Sequence, residues 1–261
     1  MTKGSHHTSP TSHPSSSVRA ACRLLLLALS LFFAMPSAAF PLSIPEKLVY
    51  DLTWTGIKAG TATQEIIDDK DSIRVVSTAR SADWISVFFP VEDRVESILT
   101  KVPPPRFGVP LNYRMKVKEG HHRRDREIIF EHARGKARYI DHRGGEKAEV
   151  DISPNTYDPY SSFYYVRTLP LEVGKSVYVS ILDNKDLSKV EVQVLKKERL
   201  KTVLGEVNTI MIKPMMKSEG IFQRKGEIYI WLTDDERHIP VKMKTKVTIG
   251  SVTATLTEAK Y

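Results

Sequence analysis

The densest group of chemically capable side chains lies between Arg114 and Lys147. This segment contains 11 Lys and Arg residues against six Asp and Glu residues, together with His121, His122, His132 and His142. Clustered cations attract anionic lipid headgroups and polysaccharides. No aromatic stacking motif is interleaved with them, so nucleic acid is not predicted as a partner. The sequence predicts a basic surface formed by Arg123, Arg124, Arg126, Arg134, Lys136 and Arg138.

Metal binding by the adjacent His121 and His122 is a competing interpretation of the same segment. Neighbouring side chains of a strand point to opposite faces, so these two could ligate one ion only in a turn, which Gly120 would allow. No thiol or carboxylate pattern at ligand spacing accompanies them. We therefore favour a solvated hairpin face and predict neither a metal nor another cofactor.

Three consecutive acidic residues form a second candidate site, Asp234, Asp235 and Glu236. Calcium loops space their oxygen ligands at alternate positions and bend at a glycine, and neither feature occurs here. Aspartate side chains commonly accept hydrogen bonds from the backbone in turns. We predict a hairpin turn, followed by a strand that begins at Pro240.

Covalent and acid–base catalysis are not indicated. The single cysteine is Cys22, and the chain has no Gly-x-Ser-x-Gly elbow and no phosphate-binding glycine loop. Asp93 and Glu96 are an odd number of residues apart on a predicted strand, so they face opposite sides of the sheet. The sequence therefore predicts a protein that is not an enzyme.

The first 39 residues have the features of an export signal. A polar extension over residues 1–17, rich in Ser, Thr, His and Pro, is predicted to be disordered. An apolar run from Leu24 to Met35 follows Arg19 and Arg23, and the small residues up to Ala39 suit signal peptidase. This run is shorter than the roughly 20 residues of a transmembrane helix. We predict cleavage after Ala39, with retention as an anchor as the alternative.

Cleavage would leave residues 40–261 as a single β-rich exported domain. Cys22 precedes the apolar run, whereas a lipidated cysteine would follow it, so lipidation is not predicted. The whole chain has a formal charge of +8, and removal of three basic residues with the signal leaves an excess of five. This excess equals that of the basic segment. A cysteine-free domain of this size relies on its own hydrophobic core.

Alternating apolar and polar residues recur along residues 48–257 and predict strands with one buried face. One face, for example, carries Leu111, Tyr113, Met115 and Val117. Tight hairpin turns are predicted at Gly144–Gly145, Asp183–Asn184, Leu204–Gly205 and Gly250–Ser251. About a dozen antiparallel strands must curl to cover their apolar face. The fold class is all-β, and barrel, half-barrel and sandwich remain open.

One short helix near residues 159–169 interrupts the strands. Asp158 is its predicted N-cap, Pro159 opens it and Pro170 ends it. Helical spacing places on one face Tyr160, Phe163, Tyr164 and Arg167. With Trp231, these residues are the candidate mouth or lid of a ligand-binding site. Packing of this aromatic stripe in the core is the interpretation that we favour over ligand binding.

Four segments, taken together and in order, resemble domain of unknown function 3108 (DUF3108), a family of exported bacterial proteins. They are Leu48–Gly60, Tyr157–Arg167, Gly226–Val241 and Ile249–Leu256. The resemblance covers nearly all of residues 45–261. It implies a β-rich domain in the periplasm or associated with the outer membrane, and it brings no established activity or catalytic residue.

These observations predict a non-enzymatic envelope protein. Its curled sheet would hold or shield an apolar or amphipathic, lipid-like ligand, and its basic segment would contact an anionic membrane surface. The alternative is a scaffold or assembly partner that binds another envelope protein through a strand edge or the basic face. An envelope hydrolase is the third hypothesis.

Overall fold

The computed structural model describes Met1 and residues 42–103, 107–215, 227–247 and 250–261. The predicted signal segment, with its cleavage point after Ala39, lies outside these residues, as do Gly226 and Ile249. The described residues from Leu42 onward belong to one compact unit. Among the described residues, no helix is long and apolar enough to cross a membrane.

Fifteen strands account for most of the described chain. Their bounds are β1 Glu46–Trp54, β2 Ile57–Asp68, β3 Ser72–Ser81, β4 Glu92–Thr100, β5 Pro110–Glu119, β6 His122–Glu131, β7 Lys136–Asp141, β8 Lys147–Asp151, β9 Thr156–Tyr157, β10 Ser176–Asp183, β11 Asp186–Thr202, β12 Gly205–Pro214, β13 Ile228–Thr233, β14 Pro240–Lys246 and β15 Ser251–Lys260. The described helices are α1 Asp83–Ser86, α2 Pro159–Arg167 and a short 3-10 turn, His132–Arg134.

All fifteen strands belong to one sheet, in the order β8-β7-β6-β5-β4-β3-β2-β1-β15-β14-β13-β12-β11-β10-β9. Neighbours are antiparallel except for the parallel pair β9 and β10. The pairing of β1 with β15 places the first and last strands side by side in the middle of the sheet. The sheet curls and is not closed. The all-β prediction is confirmed, and the structure is a single open sheet.

Helix α2 lies within the curl of the sheet. Val166 packs in the apolar cluster that β10–β13 form, with Val179, Ile181, Val190, Val192, Ile210, Ile212, Ile230 and Leu232. Tyr164 packs in a different cluster, with Leu42, Ile66, Val75 and Leu99. One short helix therefore contacts both halves of the sheet. Its bounds confirm the helix predicted near residues 159–169.

Two hairpin turns lie one residue away from their predicted positions. Asp183 pairs with Asp186, so the turn consists of Asn184 and Lys185, with Asn184 at a φ of 55°. Asparagine tolerates this left-handed conformation better than most residues do. In the next hairpin Thr202 pairs with Gly205, which leaves Val203 and Leu204 as the turn. Composition locates a hairpin, whereas the cross-strand register selects its two turn residues.

Turns at the other two predicted positions differ in outcome. Gly144 and Gly145 lie between β7 and β8 as predicted, with Gly145 at a φ of 74°. Ser251, by contrast, is the first residue of β15 and pairs with Lys246. The prediction that Ser251 is a turn residue is therefore wrong. Its backbone is used in the ladder between β14 and β15.

Candidate functional site

Asp158 fixes the beginning of α2. Its carboxylate accepts hydrogen bonds from the backbone N–H groups of Tyr160, at 2.9 Å, and Ser161, at 2.8 Å. The same carboxylate accepts from the hydroxyls of Ser161 and of Ser97 in β4, each at 2.6 Å. Burial raises the pKa of Asp158, and the hydrogen bonds from Ser161 and Ser97 oppose that shift. The predicted N-cap thus also anchors the helix to the sheet.

Arg167 fixes the end of α2. Its guanidinium forms a bidentate ion pair with Glu46 of β1, with both N–O distances 2.7 Å. Its Nε donates to the carbonyl of His238 at 3.0 Å, and Nδ1 of His238 lies 2.8 Å from the carbonyl of Arg167. Burial alone would lower the pKa of Arg167, but the Glu46 carboxylate reverses this and raises it.

Two tyrosines of α2 extend this buried polar cluster. The hydroxyl of Tyr160 donates to the carbonyl of Val76 in β3 at 3.3 Å. The Tyr164 ring lies 5.2 Å from the Arg167 guanidinium carbon and is fully buried. Burial raises the pKa of both phenols. These polar groups satisfy one another and the backbone, so they position α2 within the sheet.

The residues predicted to form a ligand mouth differ in how deeply they are buried. Tyr164 and Arg167 are enclosed by protein, while Tyr160 and Phe163 are partly buried and pack against the apolar clusters. This placement is that of a stripe packed in the core. The structure brings these four side chains together on α2. A ligand-binding role for them is untested and stays a prediction.

Trp231 does not join the four residues of α2. It alternates along β13 with Ile230 and Leu232, which pack in the cluster next to α2, so its side chain faces the other side of the strand. There its ring lies 4.9 Å from Nζ of Lys242, and its Nε1–H donates to Glu198. The structure does not bring Trp231 together with the helix stripe, and a ligand-binding role for it stays a prediction.

The basic segment is not a single hairpin, as the sequence predicted, but spans strands β5–β8. Within it, Arg134 and Arg138 both pair with Glu131. Lys136 pairs with two acids of β8, Glu149 and Asp151, at 3.2 and 2.8 Å. The antiparallel register places acidic residues beside Lys136 and Arg138, and Arg134 meets Glu131 at the 3-10 turn. This half of the predicted basic surface is a mixed-charge surface.

Arg126, His122 and His142 also have side-chain partners. Arg126 donates to the side chain of Asn184 at 2.7 Å. His122 accepts from Nε of Arg124 at 2.7 Å, while His142 lies 2.8 Å from Glu127. Within the described ranges, no group of three or more His, Cys, Asp or Glu side chains is arranged to hold a metal ion.

A cleft of about 550 Å³ lies at the rim of strands β3–β6, next to the β7–β8 turn. Seven cationic side chains line it against three acidic ones, and the cations are Arg80, Arg94, Lys116, Lys118, Arg123, Arg124 and Arg143. Of the predicted basic residues, only Arg123 and Arg124 belong to it. Strand register supplies the others, since Arg94 of β4 pairs with Thr78 of β3 and with Lys116 of β5.

The acidic side chains of the cleft are already engaged. Glu92 pairs with Lys118 at 3.3 Å, and Asp125 pairs with Arg114, outside the cleft, at 2.7 Å. Asp93 accepts from the backbone N–H of Lys118 at 2.9 Å. Burial raises the pKa of Asp93, although that hydrogen bond and the charge of Arg124 oppose the shift. The negative charge available to neutralise the cleft is therefore small.

Five cations of the cleft form no salt bridge within the described ranges, although the charge of Arg124 acts on the carboxylates of Asp93 and Glu119. Arg80, Lys116 and Arg143 form no salt bridge with that part of the chain. Arg123 donates to the backbone carbonyls of Gly120 and His122, and Arg124 donates to the His122 ring. Unpaired cations that converge on a concave surface can bind phosphate or carboxylate oxygens.

The sequence pattern of a family described as protein of unknown function (DUF3108) matches residues 49–257. The chain belongs to the DUF3108 family. This match confirms the resemblance drawn from the four segments. No curated protein matches the DUF3108 chain.

Two solved structures align with this DUF3108 protein at low sequence identity. A β-barrel-like protein of domain of unknown function DUF1849 from Brucella abortus aligns with a TM-score of 0.53 at 13% identity, over 83% of this chain and 97% of that one. The hypothetical protein CT021 from Chlamydia trachomatis aligns with a TM-score of 0.38 at 9% identity, over 83% and 87% of the two chains. The first likeness supports the β-barrel-like fold and carries no information on activity.

Proposed function

We propose that this DUF3108 protein is a non-enzymatic protein of the bacterial cell envelope that binds the anionic headgroup of a lipid-like amphiphile in the cleft at the rim of β3–β6. The observation that carries the proposal is the charge of the cleft. Seven cations face three acids, and two of those acids are in ion pairs while the third accepts a backbone hydrogen bond. Five cations are left to meet an anion from outside.

The position of α2 favours the rim over the interior as the place of ligand contact. α2 lies inside the curl, and its side chains pack on both halves of the sheet. Its polar groups are occupied by Glu46, Ser97 and backbone carbonyls. A ligand inside the curl would have to displace these contacts, whereas a headgroup in the cleft would displace only solvent.

The envelope location is part of the proposal. It is supported by the predicted export signal and by the bacterial exported family that the sequence resembles. A scaffold that binds another envelope protein through the same cleft is the competing function. Both functions use the cations, so the experiment below uses a defined lipid.

The test is binding of a soluble short-chain phosphatidylglycerol, measured by isothermal titration with protein expressed from the full chain. The R80S/K116S/R143S variant removes three cleft cations that form no salt bridge with the described residues. Each cation near an anionic lipid surface contributes about 1 kcal/mol, so we expect a loss of affinity of about tenfold or more. The wild-type affinity should also weaken as salt screens these charges.

The matched control is the R134S/K136S/R138S variant. It removes the same number of positive charges from β6–β8, but from cations that already pair with acids. We expect the control to bind close to the wild type. No binding by the wild type, or an equal loss in both variants, would contradict a specific cleft site. A protein crosslinked through the cleft without lipid binding would support the scaffold instead.

A further inference from the structure

A cluster of exposed apolar side chains lies next to the cleft, in α1 and the residues that follow it. The exposed fractions are 45% for Trp84, 76% for Val87, 83% for Phe88 and 50% for Phe89. Ile57, at the start of neighbouring β2, is 60% exposed. We propose that residues 84–89, here named the apolar tip, insert into the interfacial layer of an anionic lipid bilayer. The inference rests on the proposed function because the cleft supplies the matching charge.

The apolar tip is held rigidly by polar contacts at its base. The hydroxyls of Ser81 and Ser86 lie 2.7 Å apart, and the backbone N–H of Val91 donates to Ser81 at 2.9 Å. The indole N–H of Trp84 donates to the carbonyl of Lys58 in β2 at 2.9 Å. These contacts fix the backbone at the base of the tip, whose Val87 and Phe88 side chains are exposed. Exposed apolar area of this kind is typical of a surface that binds a partner or a membrane.

Phe89 connects the tip to the cations of the cleft. The backbone N–H of Gly120 donates to the carbonyl of Pro90 at 2.8 Å. A Cβ atom at Gly120 would lie only 2.7 Å from Cε2 of Phe89, so the ring lies directly against this turn. The same turn leads into Arg123 and Arg124, which line the cleft. Aromatic and cationic side chains are thus presented from one rim of the sheet.

This combination fits an anionic bilayer. Aromatic rings are favourable in the interfacial layer, and adjacent cations are attracted by the negative surface potential of the lipid. A tip of Trp, Val and Phe side chains matches the apolar part of the interfacial layer, and the five neighbouring cations that form no salt bridge with the described residues match the anionic headgroups. A protein partner would have to supply an apolar pocket and an acidic rim in the same arrangement.

The test uses vesicles of phosphatidylcholine with and without phosphatidylglycerol, and protein expressed from the full chain. The V87S/F88S variant removes two of the most exposed tip side chains. We expect its affinity for anionic vesicles to fall by about tenfold or more, because burial of these side chains contributes to binding. Its binding of soluble short-chain phosphatidylglycerol should stay unchanged, since the cleft is intact.

The matched control is the L187S/V203S variant, which alters two exposed apolar residues of β11 and the β11–β12 turn. We expect its vesicle affinity to stay within about twofold of the wild type, because these two side chains lie outside the apolar tip and contribute only nonspecific hydrophobic contacts. Brominated lipid provides a direct readout. In the Trp54→Phe variant, vesicles that contain brominated lipid should quench the fluorescence of Trp84. A further Trp84→Phe substitution in the same protein should abolish that quenching.

The outcomes separate this inference from the proposed function. If V87S/F88S binds anionic vesicles as tightly as the wild type, or if Trp84 is not quenched, the inserted tip is refuted while cleft binding stands. If soluble lipid does not bind at all, the proposed function fails. If the tip variant loses only a crosslinked protein partner, a protein interface replaces the bilayer.

Discussion

Arg167 at the end of α2 and Glu46 at the start of β1 form a fully buried bidentate ion pair across 121 residues of sequence. The Arg167 guanidinium also donates to the backbone carbonyls of Arg237 and His238. The pair thus joins three parts of the chain, namely α2, β1 and the β13–β14 turn. Its role is to hold the helix within the curl of the sheet.

The Glu46→Gln variant should be strongly destabilised. It leaves the Arg167 guanidinium buried without its counter-charge, which costs about 3–5 kcal/mol of unfolding free energy in comparable sites. Urea unfolding measures the change. The Glu46→Gln/Arg167→Gln double variant should lose less than the sum of the single losses, because neither partner then buries an unpaired charge.

The exposed Arg199–Glu206 pair is the control for this prediction. Its Glu206→Gln variant should unfold at nearly the same urea concentration as the wild type, since solvent screens exposed pairs. Equal losses at Glu46 and Glu206 would show that burial of the Arg167 pair contributes nothing.

The Asp158→Asn variant should flatten the dependence of stability on pH. Burial raises the pKa of Asp158, so the folded protein keeps this proton to higher pH than the unfolded chain does. Between the ordinary Asp value of about 4 and the raised value, the folded state binds more protons, and this contribution to unfolding free energy falls as pH rises. Below about pH 4 both states are protonated and the slope vanishes.

Asparagine at this position does not titrate. We therefore expect the decrease in unfolding free energy that Asp158 causes as pH rises to be absent from the variant. Urea unfolding of both proteins from about pH 4 to 7 measures it. Asp71→Asn, at an exposed residue between β2 and β3, is the control. Parallel pH curves for the wild type and Asp158→Asn would contradict a raised pKa.

The Gly120→Ala variant should destabilise the protein and displace Phe89. Gly120 has a φ of 54°, where an L-residue costs about 1–2 kcal/mol, and its new Cβ would meet the Phe89 ring. Gly145→Ala is the matched control, because Gly145 has a φ of 74° and no atom within 4 Å of a Cβ. Urea unfolding measures the loss of unfolding free energy in both variants. The larger loss expected for Gly120→Ala gives the cost of the clash with the Phe89 ring. Equal losses would mean that the ring moves freely.

Export should remove the first 39 residues. We expect intact-mass measurement of protein recovered from the periplasm to give a chain that begins at Phe40, because the small residues up to Ala39 match the signal peptidase site. Ala39→Leu should slow this processing, while Ala34→Leu, within the apolar run, should not. Recovery of the uncleaved chain from the membrane would support the anchored alternative.

Local patterns predicted the elements of this fold well. The alternation of Leu111, Tyr113, Met115 and Val117 predicted β5, and Asp158 with Pro159 predicted the beginning of α2. Both signals depend on neighbouring residues alone. The turns at Asn184–Lys185 and Val203–Leu204 lie one residue from their predicted positions, because the partner strand decides the register.

The apolar tip was missed at the sequence level. Trp84, Val87, Phe88 and Phe89 form a short apolar run without strand or helix periodicity, and such a run is usually core. In the structure this run lies between the contacts of Ser81, Ser86 and Val91, and its side chains are exposed. A compact apolar run that fits neither period, followed by Pro90, was the available signal.

The sequence by itself determined the all-β class, the short capped helix and the family, because these depend on local periodicity and on ordered motifs. It also located the positive charge, in Arg114–Lys147. Only the tertiary structure decided which charges are available. The strand register brings Glu131 to Arg138, brings Glu149 and Asp151 to Lys136, and pairs Arg94 with Lys116. Charge is a property of residues, whereas its neutralisation depends on which strands are neighbours.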